Sequence, residues 1–271
     1  MPQHRSIRAV SGAVILLAAA AGMAACDVMV NTMEGGRARA EQAWSKTYTL
    51  SGTGSSVEIV NVNGPIEVEA VEGDTLDVKA RLVAHGATEE AAQATLKTVE
   101  IREEASAGKV RLEAWYPREP RRQAIEVSYT IRAPRTANVR LRTVNGRVKI
   151  EGALAGLNVE TTNGGVEGHA LGESVVATTT NGGIKVDMAK LGGDGVSLET
   201  TNGSIDVVLP GDAKATVAAR CVNGGISVSN LPFEKTGTGS RRKLDGTING
   251  GGPALRLETV NGGIRVGRLG S

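Results

Sequence analysis

Leu157–Val207 reads LNVETTNGGVEGHALGESVVATTTNGGIKVDMAKLGGDGVSLETTNGSIDV, and its internal repetition decides the fold. Thr-Asn-Gly stands at Thr162-Asn163-Gly164, Thr180-Asn181-Gly182 and Thr201-Asn202-Gly203. The residues six, four and two places before the asparagine are apolar or threonine: Leu157, Val159 and Thr161 in the first unit, Val196, Leu198 and Thr200 in the third. Three and five places after it come branched residues, Ile184 and Val186 or Ile205 and Val207. Charged and small polar residues fill the gaps. Strict period-two patterning of β-branched residues marks a half-buried strand on each side of the Asn-Gly.

The same grammar runs outward in both directions. Asn-Gly recurs at Asn63, Asn145, Asn163, Asn181, Asn202, Asn223, Asn249 and Asn261. From Asn145 the intervals are 18, 18, 21, 21, 26 and 12, the last two together close to two coils with one insertion. Inward parity changes across each Asn-Gly, and two architectures satisfy that. In one, Asn-Gly is a type I′ hairpin turn and the repeats form a meander or barrel. In the other it is the corner of a β-solenoid whose coils stack about 4.8 Å apart. Recurrence of Thr, Asn and Ile in every unit favours the solenoid. A hairpin needs only its turn residues, whereas stacked coils align equivalent side chains into hydrogen-bonded ladders. The expected fold is therefore all-β: a single-stranded, β-helix-like solenoid of 18–21-residue coils over residues 136–271. Asn145, Asn163, Asn181, Asn202, Asn223 and Asn261 are its expected corner and ladder residues. The glycine after each supplies the positive φ or crowded backbone that a corner needs. Six or seven coils make a rod of roughly 30 Å.

Residues 48–135 read differently, as a small α+β cap on the first coil. Thr75–Leu82, Gly108–Tyr116 and Gln123–Ile131 alternate as strands. Thr88–Lys97 is the best helix of the chain, with Thr88 as N-cap and Glu89 and Glu90 in its first turn. No comparable cap follows Ile264, so the C-terminal coil is expected to be open, to a partner or to end-to-end self-association.

Glycine is 36 of 271 residues and the aromatics are six: Trp44, Tyr48, Trp115, Tyr116, Tyr129 and Phe233. So few aromatics exclude a thick α/β core and disfavour stacking platforms for bases or sugars. Lys and Arg number 31 against 29 Asp and Glu. Without Arg5 and Arg8 the chain is neutral, so no basic field exists for nucleic acid.

Those two arginines open an address. His4, Arg5 and Arg8 precede the apolar run Ala13–Ala21, which is too short to span a bilayer and has the shape of an export signal. The following Gly22-Met23-Ala24-Ala25-Cys26 resembles the lipobox of bacterial lipoproteins, with Met23 where leucine is usual. That resemblance makes residues 1–25 a signal peptide and Cys26 the lipidated first residue of the mature chain. It places the protein, exported, on a membrane of the bacterial cell envelope. By analogy with a known sorting rule, Asp27 points weakly to the periplasmic face of the inner membrane, otherwise to the outer membrane or surface. Residues 26–47 lack strand alternation and are expected to be a tether, with a short helix at Ala38–Lys46.

VNVNGPIEVEAV from Val60, the strand-helix-strand insert, IRAPRTANVRLRTVNGRVKIEG from Ile131 and the TTNGG units together resemble the bacterial putative-adhesin family, long catalogued as a domain of unknown function. The match covers residues 51–269. The resemblance implies a β-helical, exported or membrane-anchored protein without established catalysis.

The residues themselves offer little chemistry. His85, His169 and Cys221 have no metal-ligand spacing, and no nucleophile-elbow, zincin or P-loop motif occurs, so no catalytic residue, metal or cofactor is expected. Gly192–Leu198 approaches the calcium nonapeptide, but Ser197 holds the aspartate position and the motif occurs once. Cys221 takes an inward threonine place and reads as a small buried hydrophobe. Two basic loops, Arg118, Arg121 and Arg122, and Arg241, Arg242 and Lys243, are the expected contacts to an anionic partner such as a headgroup or envelope polymer. The expected function is that of a lipid-anchored, non-catalytic binding or adhesin-like module. The alternative is a periplasmic scaffold assembling through its open C-terminal coil.

Overall fold

The strands that flank each Asn-Gly lie in different sheets, which settles the choice between hairpin and corner. The computed structural model describes residues 25–268 except 35–36, 51, 53, 118–124 and 238. In chain order the elements are β1 (Ala25–Glu34), β2 (Arg37–Thr49), β3 (Ser56–Val60), β4 (Ile66–Val71), β5 (Thr75–Gly86), α1 (Glu89–Leu96), β6 (Glu100–Ser106), β7 (Lys109–Trp115) and β8 (Ile125–Pro134). The repeats follow as β9 (Asn138–Asn145), β10 (Val148–Glu151), β11 (Gly156–Asn163), β12 (Val166–Leu171), β13 (Val175–Asn181), β14 (Ile184–Met188), β15 (Val196–Asn202) and β16 (Ile205–Leu209). The last elements are β17 (Ala215–Asn223), β18 (Ile226–Val228), β19 (Phe233–Lys235), β20 (Lys243–Ile248), β21 (Ala254–Asn261) and β22 (Ile264–Arg268).

These form two open 11-stranded sheets. The first runs β1-β2-β5-β8-β4-β10-β12-β14-β16-β22-β18, the second β6-β7-β3-β9-β11-β13-β15-β21-β17-β20-β19. Each coil gives one strand to each sheet, and neighbouring coils pair in parallel, as the ladder from β9 through β11 to β13 illustrates. This is the solenoid, and no barrel closes. The inward positions of both sheets meet in one core: Val139, Leu141, Val148, Ile150 and their equivalents are almost wholly buried, except Ile226 and Val228 of β18, which are half-buried. Branched aliphatics suffice because facing sheets need a filling only about 10 Å thick.

Coil order in space is not coil order in sequence. The β3–β4 coil lies between β7–β8 and β9–β10, and the last coil, β21–β22, lies between β15–β16 and β17–β18. Two expectations change accordingly. Residues 48–135 are not only a cap, because β3, β4, β7 and β8 are parallel members of the stack. The C-terminal coil is not open, because β22 pairs with β16 on one edge and β18 on the other. The spatially last coil is β17–β18. There β20 and β19 close the second sheet with antiparallel pairs, and the first sheet stops at the three-residue β18. Short edge strands and antiparallel covers both blunt an edge against further pairing.

The near end is closed by antiparallel additions, β5, β2 and β1 on the first sheet and β6 on the second. The expected helix over 88–97 forms at Glu89–Leu96, where the Thr88 hydroxyl accepts from the Ala91 N–H at 3.2 Å. It buries Ala92, Thr95 and Leu96 and packs on β2 and β5. The segment expected to be a tether is strand instead, and the helix expected at Ala38–Lys46 is absent. Arg37–Thr49 pairs residue by residue with β5 from Ala38↔Gly86 to Thr49↔Thr75. Weak local alternation hid it: β2 gains its order from a long antiparallel partner rather than from its own pattern.

Candidate interaction surface

The asparagines form one ladder along the corner. Asn145 Nδ2 donates to Asn63 Oδ1 at 2.7 Å, Asn163 to Asn145 at 2.7 Å, Asn181 to Asn163 at 2.8 Å and Asn202 to Asn181 at 2.9 Å. Asn261 then donates to Asn202 at 2.7 Å and Asn223 to Asn261 at 2.8 Å, following spatial order. Asn63, left out of the expected set, heads the ladder. Asn249 is no corner: it sits in a turn at φ +49° and donates to the Gly211 and Ala213 carbonyls. The threonines do not pair with one another. Thr179, Thr200 and Thr259 each donate to a corner-glycine carbonyl of the neighbouring coil, at 2.8–2.9 Å. Asn61 holds the threonine place of its coil, buried, with Nδ2 on the Val127 carbonyl at 2.7 Å.

An Asn181→Asp variant is expected to lose about 1–2 kcal/mol of stability, because its carboxylate turns an acceptor toward the Asn163 acceptor. Part of that loss returns on acidification. The protonated carboxyl donates again, so the folded state binds the proton more tightly than the unfolded one. Urea unfolding at two pH values checks it.

On each flank one row of outward charges is matched from coil to coil. On the first sheet Glu67, Lys149, Glu167, Lys185, Asp206 and Arg265 occupy one outward row across six successive coils, in strictly alternating sign. Arg265 reaches Asp206 at 2.5 and 3.1 Å. On the second sheet Arg140 and Arg142 hold Glu160 at 2.7 and 3.2 Å, and Arg111 holds Glu58 at 3.2 Å. Its hydrogen bond from Arg140 keeps the Glu160 carboxyl below the ordinary carboxylate range. Arg140 and Arg142 thus lie on the opposite sheet from Lys149. The alternating row is legible in the sequence, four places after the corner asparagines.

His169 Nδ1 meets Asp187 Oδ2 at 2.8 Å, and the other Asp187 oxygen accepts from the Ala170 N–H at a bulge where Ala170 has φ +52°. His85 lies at the end of β5. Among the described residues no three His, Cys, Asp or Glu side chains converge to hold a metal ion. At the near end Tyr48, Tyr116 and Tyr129 are buried, and burial pushes Tyr129 well above the ordinary tyrosine range. Arg102 lies 4.1 Å above the Trp115 ring.

Of the two basic loops, Arg118, Arg121 and Arg122 lie outside the described residues. Arg241, Arg242 and Lys243 form a turn whose backbone finishes the last coil. The Arg242 carbonyl accepts from Cys221 N–H at 2.9 Å, and the Arg241 carbonyl from Ile226 N–H at 3.1 Å. In the inner coils a further coil supplies such acceptors, as Gly263 does for Ile205. Ser240 Oγ accepts from the Arg242 and Lys243 N–H groups and sets the turn. The Arg241 and Arg242 side chains are exposed and carry no ion pair among the described residues, whereas Lys243 meets Asp245 at 3.4 Å. Val222 and Val260, at adjacent corners of the same end, are 54% and 40% exposed. Cys26 lies in β1 opposite Trp44. No described helix is long and apolar enough to cross a membrane.

The family model described as Toastrack DUF4097 matches residues 88–267. No curated protein matches the chain. A solved structure from Clostridium sporogenes, called a putative cell adhesion protein, is 14% identical, with 83% of this chain and 99% of that chain covered and a TM-score of 0.49. A putative adhesin from Bacteroides fragilis is 13% identical over 84% of this chain and 97% of its own, with a TM-score of 0.42.

Proposed function

From the premise that this chain belongs to the Toastrack DUF4097 family, we propose that it is a non-catalytic binding module of the bacterial cell envelope. It is exported, held by lipid on Cys26, and meets an anionic partner through the turn at its far end. Membership in a family of unknown function supplies the architecture, and adhesin-like names among weakly similar structures agree with binding outside the cytoplasm. The observation that carries the reading is the contrast in charge. On the flanks Arg140, Arg142 and Arg265 each meet an acid of the neighbouring coil, while Arg241 and Arg242, exposed on a braced turn, carry no ion pair among the described residues. Guanidinium groups on a fixed backbone suit phosphate or carboxylate groups of a headgroup or envelope polymer.

The test is cosedimentation with vesicles, using the chain beginning at Asp27. Binding to anionic vesicles, absent from zwitterionic ones, is expected to fall at least tenfold in the Arg241→Ser, Arg242→Ser double variant at unchanged stability. Equal binding by both proteins would sink the proposal. The anchor is tested separately: Cys26→Ala is expected to abolish incorporation of labelled fatty acid and to release the protein from the membrane fraction.

A further inference from the structure

We propose that β21–β22 is an exchangeable coil, and that two copies of this chain associate by trading residues 254–268, each copy's last coil filling the other's slot. The slot is real in the topology: the coil lies between β15–β16 and β17–β18 although it follows both in sequence. Its two walls present the same register. Asn261 faces Asn202 on one side and Asn223 on the other, and Thr259 faces Thr200 and Cys221. Everything the coil touches there is reproduced in a second copy.

The coil binds through its whole length. Leu255, Leu257, Thr259, Ile264 and Val266 are each at most 3% exposed. Asn261 completes the asparagine ladder on both sides, and Arg265 completes the alternating charge row against Asp206. A slot left empty would expose two unpaired parallel edges and an apolar interior, the condition under which a like segment from elsewhere is captured.

The link to the coil is a short, glycine-rich hinge. The chain passes from β20, on one edge of β17, to β21, on the other, through Asn249-Gly250-Gly251-Gly252-Pro253. Asn249, Gly250 and Gly251 have φ of +49°, +80° and +92° in succession. Asn249 pins the closed form on the Gly211 and Ala213 carbonyls, and Thr216 N–H donates to Pro253. Extended, five residues reach roughly 16 Å, enough to carry the coil out of its own slot. Short hinge loops are where segment exchange occurs. End-to-end stacking has no such support, since antiparallel strands cover the near end and the far edge of the second sheet, and the far edge of the first sheet is only three residues long.

The test uses the mature chain with Cys26→Ser and Cys221→Thr, carrying Glu199→Cys and Glu258→Cys as a reporter. These two positions are outward register partners on β15 and β21, at a strand spacing within disulfide reach. Deleting Gly250 and Gly251 is expected to move more than half of the protein to twice the monomer mass with an unchanged strand signal. The reporter then links two chains on a non-reducing gel. A folded monomer, or a dimer whose reporter stays within one chain, overturns the proposal. If the shortened hinge does not fold, the reporter chain with its natural hinge decides, refolded from denaturant at high concentration. Covalent dimer supports exchange, and intrachain bonds alone overturn it.

Discussion

Replacing Gly182 by alanine is expected to lower the unfolding free energy by about 3 kcal/mol or more, while the same change at Gly183 costs less than about 1 kcal/mol. The two residues are adjacent and look equivalent in the sequence, yet their surroundings differ. A Cβ on Gly182 would stand 2.1 Å from the carbonyl oxygen of Gly164 and 2.5 Å from its carbon. That atom belongs to the backbone of the neighbouring coil, whose own position is fixed by ladder bonds on both sides. It cannot rotate away as a side chain would. The same contact recurs at Gly146, Gly164, Gly203 and Gly262, each about 2.0 Å from the preceding coil's glycine oxygen. A Cβ on Gly183 meets nothing nearer than the Ser204 carbonyl at 3.3 Å. Ser204 and Arg147 already hold the equivalent place in their coils. Denaturant titration of both variants reads the difference, and equal losses would refute close approach as the reason for the first glycine.

Ile264→Asp is expected to cost about 4 kcal/mol or more, whereas Ser227→Asp is tolerated within about 0.5 kcal/mol. Ile264 is wholly buried, with β16 and β18 on either side. A carboxyl there has no partner and must take up a proton or unfold the coil. Ser227 is exposed on the terminal strand, beside Arg265. Had the last coil in sequence been the end of the rod, Ile264 would be only half-buried, as its partner Ile226 is in the coil that does end it. Thermal unfolding followed by circular dichroism separates the two.

The coil itself was legible, because period-two patterning and the Asn-Gly corner are local. Leu157, Val159 and Thr161 announce their burial without reference to any other residue. Which coil touches which is not legible in the inward positions, because nearly all of them are small or branched apolar residues or threonine. The outward row held the missing information. In sequence order its members are Glu67, Lys149, Glu167, Lys185, Asp206, Ser227 and Arg265. Moving Arg265 next to Asp206 restores alternation, and that is the order in space. The β2 segment escaped for the opposite reason, since only pairing with β5 orders it. The charge of the turn at Arg241–Lys243 is plain in the sequence, but its backbone role depends on contacts to Cys221 and Ile226 that no local pattern encodes.

Threading has a consequence in time. A chain leaves the ribosome from its N-terminus, so residues 215–228 emerge before the coil that belongs between them and residues 196–209. At the other end, residues 56–71 emerge before both of their neighbours in the stack. Neither end of the rod can be laid down in order of synthesis. Only the middle, from β9 to β16, can grow coil upon coil as it appears. Residues 254–268 therefore act as a latch, and the stack stays unfinished until they have been made.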